Sequence, residues 1–280
     1  MDTNLIIVPT DFSKVAHTAL NHAVKVAQTT QSKISLVHIV PKSDMLTEAK
    51  EKLRIAKEMA LNELKFEVDT IARVGSIYED IADLALELDA NLIVMGTHGL
   101  RGLQFITGSR ALRIVTSADV PFLIVQEKEV GENGYDDIVV PLDLHKETKQ
   151  KLRIVANTAK YFKSRVHLIV PGETDEFLRN QVERNLKYAQ NYFSDKNIPC
   201  TAKISKLKSD DFDDAILEYA QEIDADLISI MNIAGSSLSN LIGGNYVQNI
   251  ITNKAEIPVL VLNPKETTTS SIFGAYTGAG

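Results

Sequence analysis

Four glycines, Gly96, Gly99, Gly102 and Gly108, the last followed by Ser109, stand between two apolar runs of this chain. Glycines just past the end of a strand let the backbone approach a ligand closely. A serine opening a helix puts unpaired amides and the positive end of the helix dipole beside it, which suits an anion. The stretch from Asn91 to Gln126 therefore reads first as a phosphate seat. His98, Arg101 and Arg110 lie near enough in sequence to add charge to it. His98 has no second base or nucleophile beside it, so its plainer role is that of a polar turn residue and no catalytic residue is assigned. The spacing matches neither G-x-x-x-x-G-K-[ST] nor G-x-G-x-x-G. Nor do His38, His98 and His145 have the cysteine or paired-carboxylate neighbours of a metal site.

These residues need elements to hold them. Leu5–Val8 reads as a strand, turned by Pro9-Thr10-Asp11-Phe12-Ser13 into a helix reaching about Gln28, with Ala16, Leu20, Ala23, Val24 and Ala27 on one stripe. Ile34–Val40 is a second strand, and a charged helix covers about Leu46 to Lys65. Val68–Val74 is a third strand, followed by a helix opened by Gly75-Ser76 and lined by Ile77, Ile81, Leu84, Ala85 and Leu88. Asn91–Met95 and Val120–Val125 are the fourth and fifth strands. Strands alternating with helices predict an α/β, doubly wound parallel sheet.

The pattern then repeats. Asp137–Asp143 echoes Leu5–Asp11, Glu222–Ile228 echoes Glu87–Ile93, and Ile257–Leu262 echoes Val120–Val125. Two domains are expected, 1–130 and 135–264, joined through Gly131-Glu132-Asn133-Gly134. The Thr/Ser/Gly-rich tail 265–280 has no periodic apolar face and is expected to be flexible.

The 280 residues suffice for two cores; 44 % are hydrophobic and 24 % charged, with a formal net charge of −7. That balance argues against a general nucleic-acid or membrane-surface binder. Cys200 is the single cysteine, so no intrachain disulfide forms, and in a strand Cys200–Leu207 it is expected to be a small buried hydrophobe. With no basic leader and no apolar run of about 20 residues, a cytoplasmic protein is expected.

On the residues Pro9-Thr10-Asp11-Phe12-Ser13, Leu36–Val40, Asp89–Gly99 and Gly108-Ser109, with the repeat, the chain resembles a tandem universal stress protein. The resemblance covers residue 1 to about 264, closely in the first half and degenerately in the second. It implies a five-stranded parallel sheet in each half with strand order 3-2-1-4-5, roles in stress response and signalling, and binding of adenine nucleotides (ATP, ADP or AMP) by many members. Pairing through the last strand, common in the family, would make the two halves a pseudo-twofold, intrachain pseudo-dimer, with a further homodimer open. In that strand order the connection reverses between strands 1 and 4, and the crevice beyond their carboxyl ends takes ligands. Asp11 and Gly96 would converge there.

Carried over by position, Pro9, Thr10 and Asp11 would line the base and ribose, and Ile39 would offer its backbone to adenine. Met95 and Gly96 would floor the pocket. Gly99, Gly108 and Ser109 would hold phosphates, with His98, Arg101 and Arg110 near that end. Read without the resemblance, Asp11 and Ser109 are equally helix caps, and the glycines equally plain turn residues. Eight residues, Leu100 to Thr107, separate Gly99 from Gly108, one fewer than the family pattern. The shorter loop bears on the seating of a triphosphate, and no acidic cluster beside it marks a Mg²⁺ site.

In the second half Asn232 is read as replacing the first glycine, and Gly243-Gly244-Asn245 replaces Gly-Ser, so weak or no nucleotide binding is expected there. Three functions compete. One is an adenine-nucleotide-binding regulator that signals to a protein partner; another is a nucleotide-free scaffold; the third is a slow ATPase.

Overall fold

The computed structural model describes residues 4–97, 114–115, 120–142, 148–232 and 246–263. The first half runs β1 (Leu5–Pro9), α1 (Lys14–Thr30), β2 (Lys33–Val40), α2 (Leu46–Glu63), β3 (Asp69–Val74), α3 (Ile77–Glu87), β4 (Leu92–Gly96) and β5 (Phe122–Val125). The second runs β6 (Asp137–Pro141), α4 (Thr148–Phe162), β7 (Arg165–Val170), α5 (Glu176–Ser194), β8 (Cys200–Ile204), α6 (Phe212–Glu222), β9 (Leu227–Met231), α7 (Tyr246–Ile251) and β10 (Val259–Leu262).

The ten strands among the described residues form one sheet, ordered β3-β2-β1-β4-β5-β10-β9-β6-β7-β8. Each half thus has the expected 3-2-1-4-5 order and pairs in parallel. Among these ten strands only the junction is antiparallel, with Val259 opposite Ile124, Leu260 opposite Leu123 and Val261 opposite Phe122. The reason lies in composition: all four residues of β5 and all four of β10 are apolar, and all eight are buried. An edge of that kind left in water would be a template for unwanted pairing. Pairing the two edges removes both.

Helices cover both faces. One apolar layer gathers Ile6, Val8, Leu36 and Leu123 with Val140, Leu168 and Leu260 beneath the α1, α2, α4 and α5 side. The other gathers Ile7, Ile93, Met95 and Phe122 with Val139, Ile228 and Val259 beneath α3, α6 and α7. Alternate strand residues face opposite layers, as period two requires.

The repeat is visible in backbone detail. Leu5 N–H donates to Asn91 Oδ1 (2.8 Å), and Asn91 N–H donates to the Leu5 carbonyl (2.9 Å). Asp137 and Asp226 repeat that exchange at 3.0 Å in each direction. Left-handed residues recur at matching positions: Gln31 with Lys163, Lys65 with Asn197, and Asp89 with Asp224.

The residues flanking the linker, Lys128, Glu129 and Tyr135, pack onto α1. His22 is buried, with Nδ1 2.8 Å from the Tyr135 hydroxyl and Nε2 3.0 Å from the Lys128 carbonyl. A carbonyl can only accept, so Nε2 carries the proton and the Tyr135 hydroxyl donates to Nδ1. Glu129 accepts from Thr18 Oγ1 (3.0 Å) and from Asn21 Nδ2 (2.9 Å).

Cys200 departs from expectation. Its strand is the outer edge of the sheet and ends at Ile204, so the thiol is half-buried, and desolvation pushes its pKa up to about 11.

Candidate functional site

The reversal of strand order falls between β1 and β4, and a cleft lies beyond their carboxyl ends. Pro9, Thr10, Asp11, Ser13, Ala16, Ile77, Met95 and Gly96 line it. Two strands and the N-terminal turns of α1 and α3 thereby bring together residues as distant in sequence as Asp11 and Gly96. The cleft measures ≈ 30 Å³, room for about one or two waters.

Gly96 is glycine for a local reason. A Cβ there would lie 2.5 Å from Val15 Cγ1 and 2.8 Å from the Val15 carbonyl oxygen. The first turn of α1 packs directly on the end of β4, and a side chain would drive the two apart.

The turn from Thr10 to Ser13 is held from several sides. Asp11 Oδ1 accepts from Ser13 N–H (3.0 Å), and Thr10 Oγ1 accepts from Phe12 N–H (3.0 Å). The cap of α1 is Ser13, whose Oγ accepts from Ala16 N–H at 3.3 Å. Asp11 is therefore not the helix cap, one of the two roles its position allowed; it shapes the turn that leads to the cap. Phe12 has φ 64°, left-handed backbone that a bulky residue adopts at a cost of about 1–3 kcal/mol.

His38 secures that turn from below. Its Nδ1 lies 2.7 Å from the Thr10 carbonyl, so Nδ1 carries a proton and donates, and its ring packs on Phe12 with centroids 4.6 Å apart. Thr10 N–H reaches back to the Val37 carbonyl (2.8 Å). Because Val37 turns its carbonyl toward β1, Ile39 directs its backbone groups the same way, beyond the last residue of β1. Ile39 does not line the cleft floor.

Pro9, Thr10, Asp11, Met95 and Gly96 thus meet in one crevice, as the sequence led us to expect. His98, Gly99, Arg101, Gly108, Ser109 and Arg110 lie outside the described residues. Sequence reasoning did not assign Ser13, Ala16, Ile77 or His38 to the site: Ser13 was read as part of the turn and Ala16 as part of the α1 core stripe. Ile77 was legible only as part of a core stripe, and His38 only as a strand residue, since its bond to Thr10 joins elements 28 residues apart. Among the described residues no group of three or more His, Cys, Asp or Glu side chains is placed to hold a metal ion.

The second half differs at the matching place. Strand pairing puts Met231 opposite Leu262 as Gly96 stands opposite Val125, so Met231, not Asn232, occupies the first glycine's position. Asn232 corresponds to Thr97: each donates its backbone N–H to the last residue of the neighbouring strand, Leu262 and Val125. Leu142, fully buried, stands where the first half has Thr10. Lys151, 3 % exposed on α4, donates from Nζ to the Pro141 carbonyl. Met231 and Leu142 thus stand in the second half where the first has Gly96 and Thr10.

A family model described as the universal stress protein family matches residues 3–126 and again 134–263. A universal stress protein of Methanocaldococcus jannaschii is 30 % identical over 139 residues, which are 44 % of this chain and 81 % of that protein. The crystal structure of a universal stress protein from Archaeoglobus fulgidus matches 93 % of this chain and 96 % of its own at TM-score 0.70 and 16 % identity. A protein of Pseudomonas aeruginosa described as functionally unknown matches 94 % of this chain and 93 % of its own at TM-score 0.66 and 19 % identity. At those identities the two structures speak for the fold alone.

Proposed function

As the chain belongs to the universal stress protein family, matched once in each half, we propose that its first half binds an adenine nucleotide and that the protein acts as a regulator in the stress response. The observation that carries this reading is the cleft itself. Pro9, Thr10, Asp11, Met95 and Gly96 converge at the switch point of a doubly wound sheet, where such folds take ligands. The strain at Phe12 and the bond from His38 keep the turn in one shape before any ligand arrives.

Asp11 would accept from the ribose hydroxyls through the carboxylate oxygen that Ser13 leaves open, and the outward backbone of Ile39 would read the adenine edge. Gly99, Gly108 and Ser109, with His98, Arg101 and Arg110, would seat the phosphates. The loop shortened between Gly99 and Gly108 favours no particular phosphate number, and the protein's output would be a change in conformation or in partner binding. The second half, with Met231 and Leu142 where the first has Gly96 and Thr10, would serve as the structural partner of the first. Among the described residues no helix is long and apolar enough to cross a membrane, and we place this regulator in the cytoplasm.

Calorimetry of the full chain with ATP, ADP and AMP tests the reading. Saturable binding at about one site per chain, weakened by Gly108→Val and by Asp11→Ala, is expected. No heat with any of the three, together with no protection against melting, would overturn it in favour of a nucleotide-free scaffold. Mass spectrometry of ligands carried through native purification provides the independent check.

A further inference from the structure

Away from the crevice, near the amino ends of the strands in the second half, three side chains from adjacent strands form a relay. Thr201 Oγ1 on β8 lies 2.9 Å from His167 Nδ1 on β7. His167 Nε2 lies 2.7 Å from Asp137 Oδ1 on β6. The other oxygen of Asp137 accepts from Arg165 at 2.5 Å. Burial would raise the Asp137 carboxyl, but the bonds from Arg165 and His167 outweigh it and hold the group below its usual range. The carboxylate is thus ionised and fixes the proton on His167 Nε2, leaving the lone pair of Nδ1 for the Thr201 hydroxyl to donate into.

We propose that Thr201 is a reactive hydroxyl, with His167 as its base and Asp137 as the group that orients and charges that base, and that it accepts acyl groups from activated esters or thioesters. The histidine is sequestered and the threonine is open: the His167 side chain is 13 % exposed, whereas Thr201 lies at the surface. The Tyr219 ring stands edge-on to the imidazole at 6.4 Å. β8 is the outer strand of the sheet. Ser205 N–H bonds to Val170, so odd-numbered residues of β8 face β7 and the amide of Ala202 points out from the open edge. That amide, next after the nucleophile, is available to an acyl oxygen.

In the step, the Thr201 oxygen adds to the acyl carbon while its proton passes to His167 Nδ1. The imidazolium is held by the Asp137 carboxylate. The bond from the acyl carbon to the leaving oxygen or sulfur then breaks, the leaving group takes the proton from Nδ1, and a threonine ester remains. The repeat supplies an internal contrast. In the first half the matching positions are Leu5, Ser35 and Asp69, with Ser35 opposite Asp69 as His167 stands opposite Thr201. The relay is therefore a feature of one half, not a requirement of the fold.

The test uses p-nitrophenyl acetate on the full chain, with peptide mapping by mass spectrometry. Acetyl is expected on Thr201, with labelling reduced about 10²- to 10⁴-fold in His167→Gln and absent in Thr201→Val. Asp137→Asn is expected to slow labelling, with circular dichroism confirming that the fold is retained. Equal labelling in His167→Gln, or acetyl confined to lysines in the unaltered chain, would overturn the proposal.

Discussion

Leu123 and Leu260 face one another across the antiparallel seam between β5 and β10, and each is the other's counterpart in the repeat. Their neighbours exchange roles across them: Phe122 opposes Val261, and Ile124 opposes Val259. The pseudo-twofold axis therefore passes through this leucine pair, both members of which lie in the same apolar layer. Leu123→Ala should destabilise the chain by about 2–5 kcal/mol, read from urea unfolding. Leu260→Ala should cost a similar amount. Because the two side chains oppose each other, the double variant should depart from the sum by about 0.5–3 kcal/mol; strict additivity would argue against their contact.

Gly96→Ala places a methyl group against Val15, where the nearest atoms include a backbone oxygen that cannot rotate away. A loss of about 1–3 kcal/mol is expected, together with weakened nucleotide binding in calorimetry. Met231→Ala, at the matching place in the second half, should leave that binding unchanged. Equal effects of the two substitutions would mean that the halves do not differ in the way described.

His38→Ala frees the Thr10 carbonyl and removes the ring beneath Phe12. Nucleotide affinity should fall roughly tenfold, equivalent to about 1.4 kcal/mol, through a turn no longer held in one shape. Unchanged affinity in titrations of this variant would show that the turn is fixed without the histidine.

His22 links stability to pH. Burial lowers its pKa from 6.5, against the smaller opposing effects of the Lys128 carbonyl and the Glu129 charge. The unfolded chain thus binds a proton that the folded chain resists, in the window below 6.5. Its contribution is fully present above that value and is lost as pH falls toward the lowered folded value. Urea midpoints should drop between about pH 7.5 and about pH 5.5, and His22→Gln should flatten the slope. Tyr135→Phe, which leaves Nδ1 buried without its donor, should cost about 1–3 kcal/mol at neutral pH.

The strand alternation, the repeat and the pairing of the final strands were all legible, because strands buried on both faces are written as continuous apolar runs. Finer assignments stay open where several residues satisfy one rule. Thr10, Asp11 and Ser13 are all good caps, and only the backbone path of α1 selects Ser13. Reading Asn232 in place of the first glycine put the second half one residue out of register, which the pairing of β4 with β5 and of β9 with β10 corrects. The relay from Thr201 to Asp137 was unreadable for a related reason. Its members are 64 residues apart in the chain and meet only through the order of β6, β7 and β8.

The seam between β5 and β10 has a consequence for how the two halves can change. In an assembly of identical chains every substitution is made twice, so a methionine in place of the first glycine would close both seats together. Here the union is within one molecule and holds at any dilution, and Met231 and Leu142 stand in one half where Gly96 and Thr10 line the cleft of the other. Covalent linkage releases each half from the sequence constraints of its twin. One half is then free to carry Asp137, His167 and Thr201 where the other has Leu5, Ser35 and Asp69.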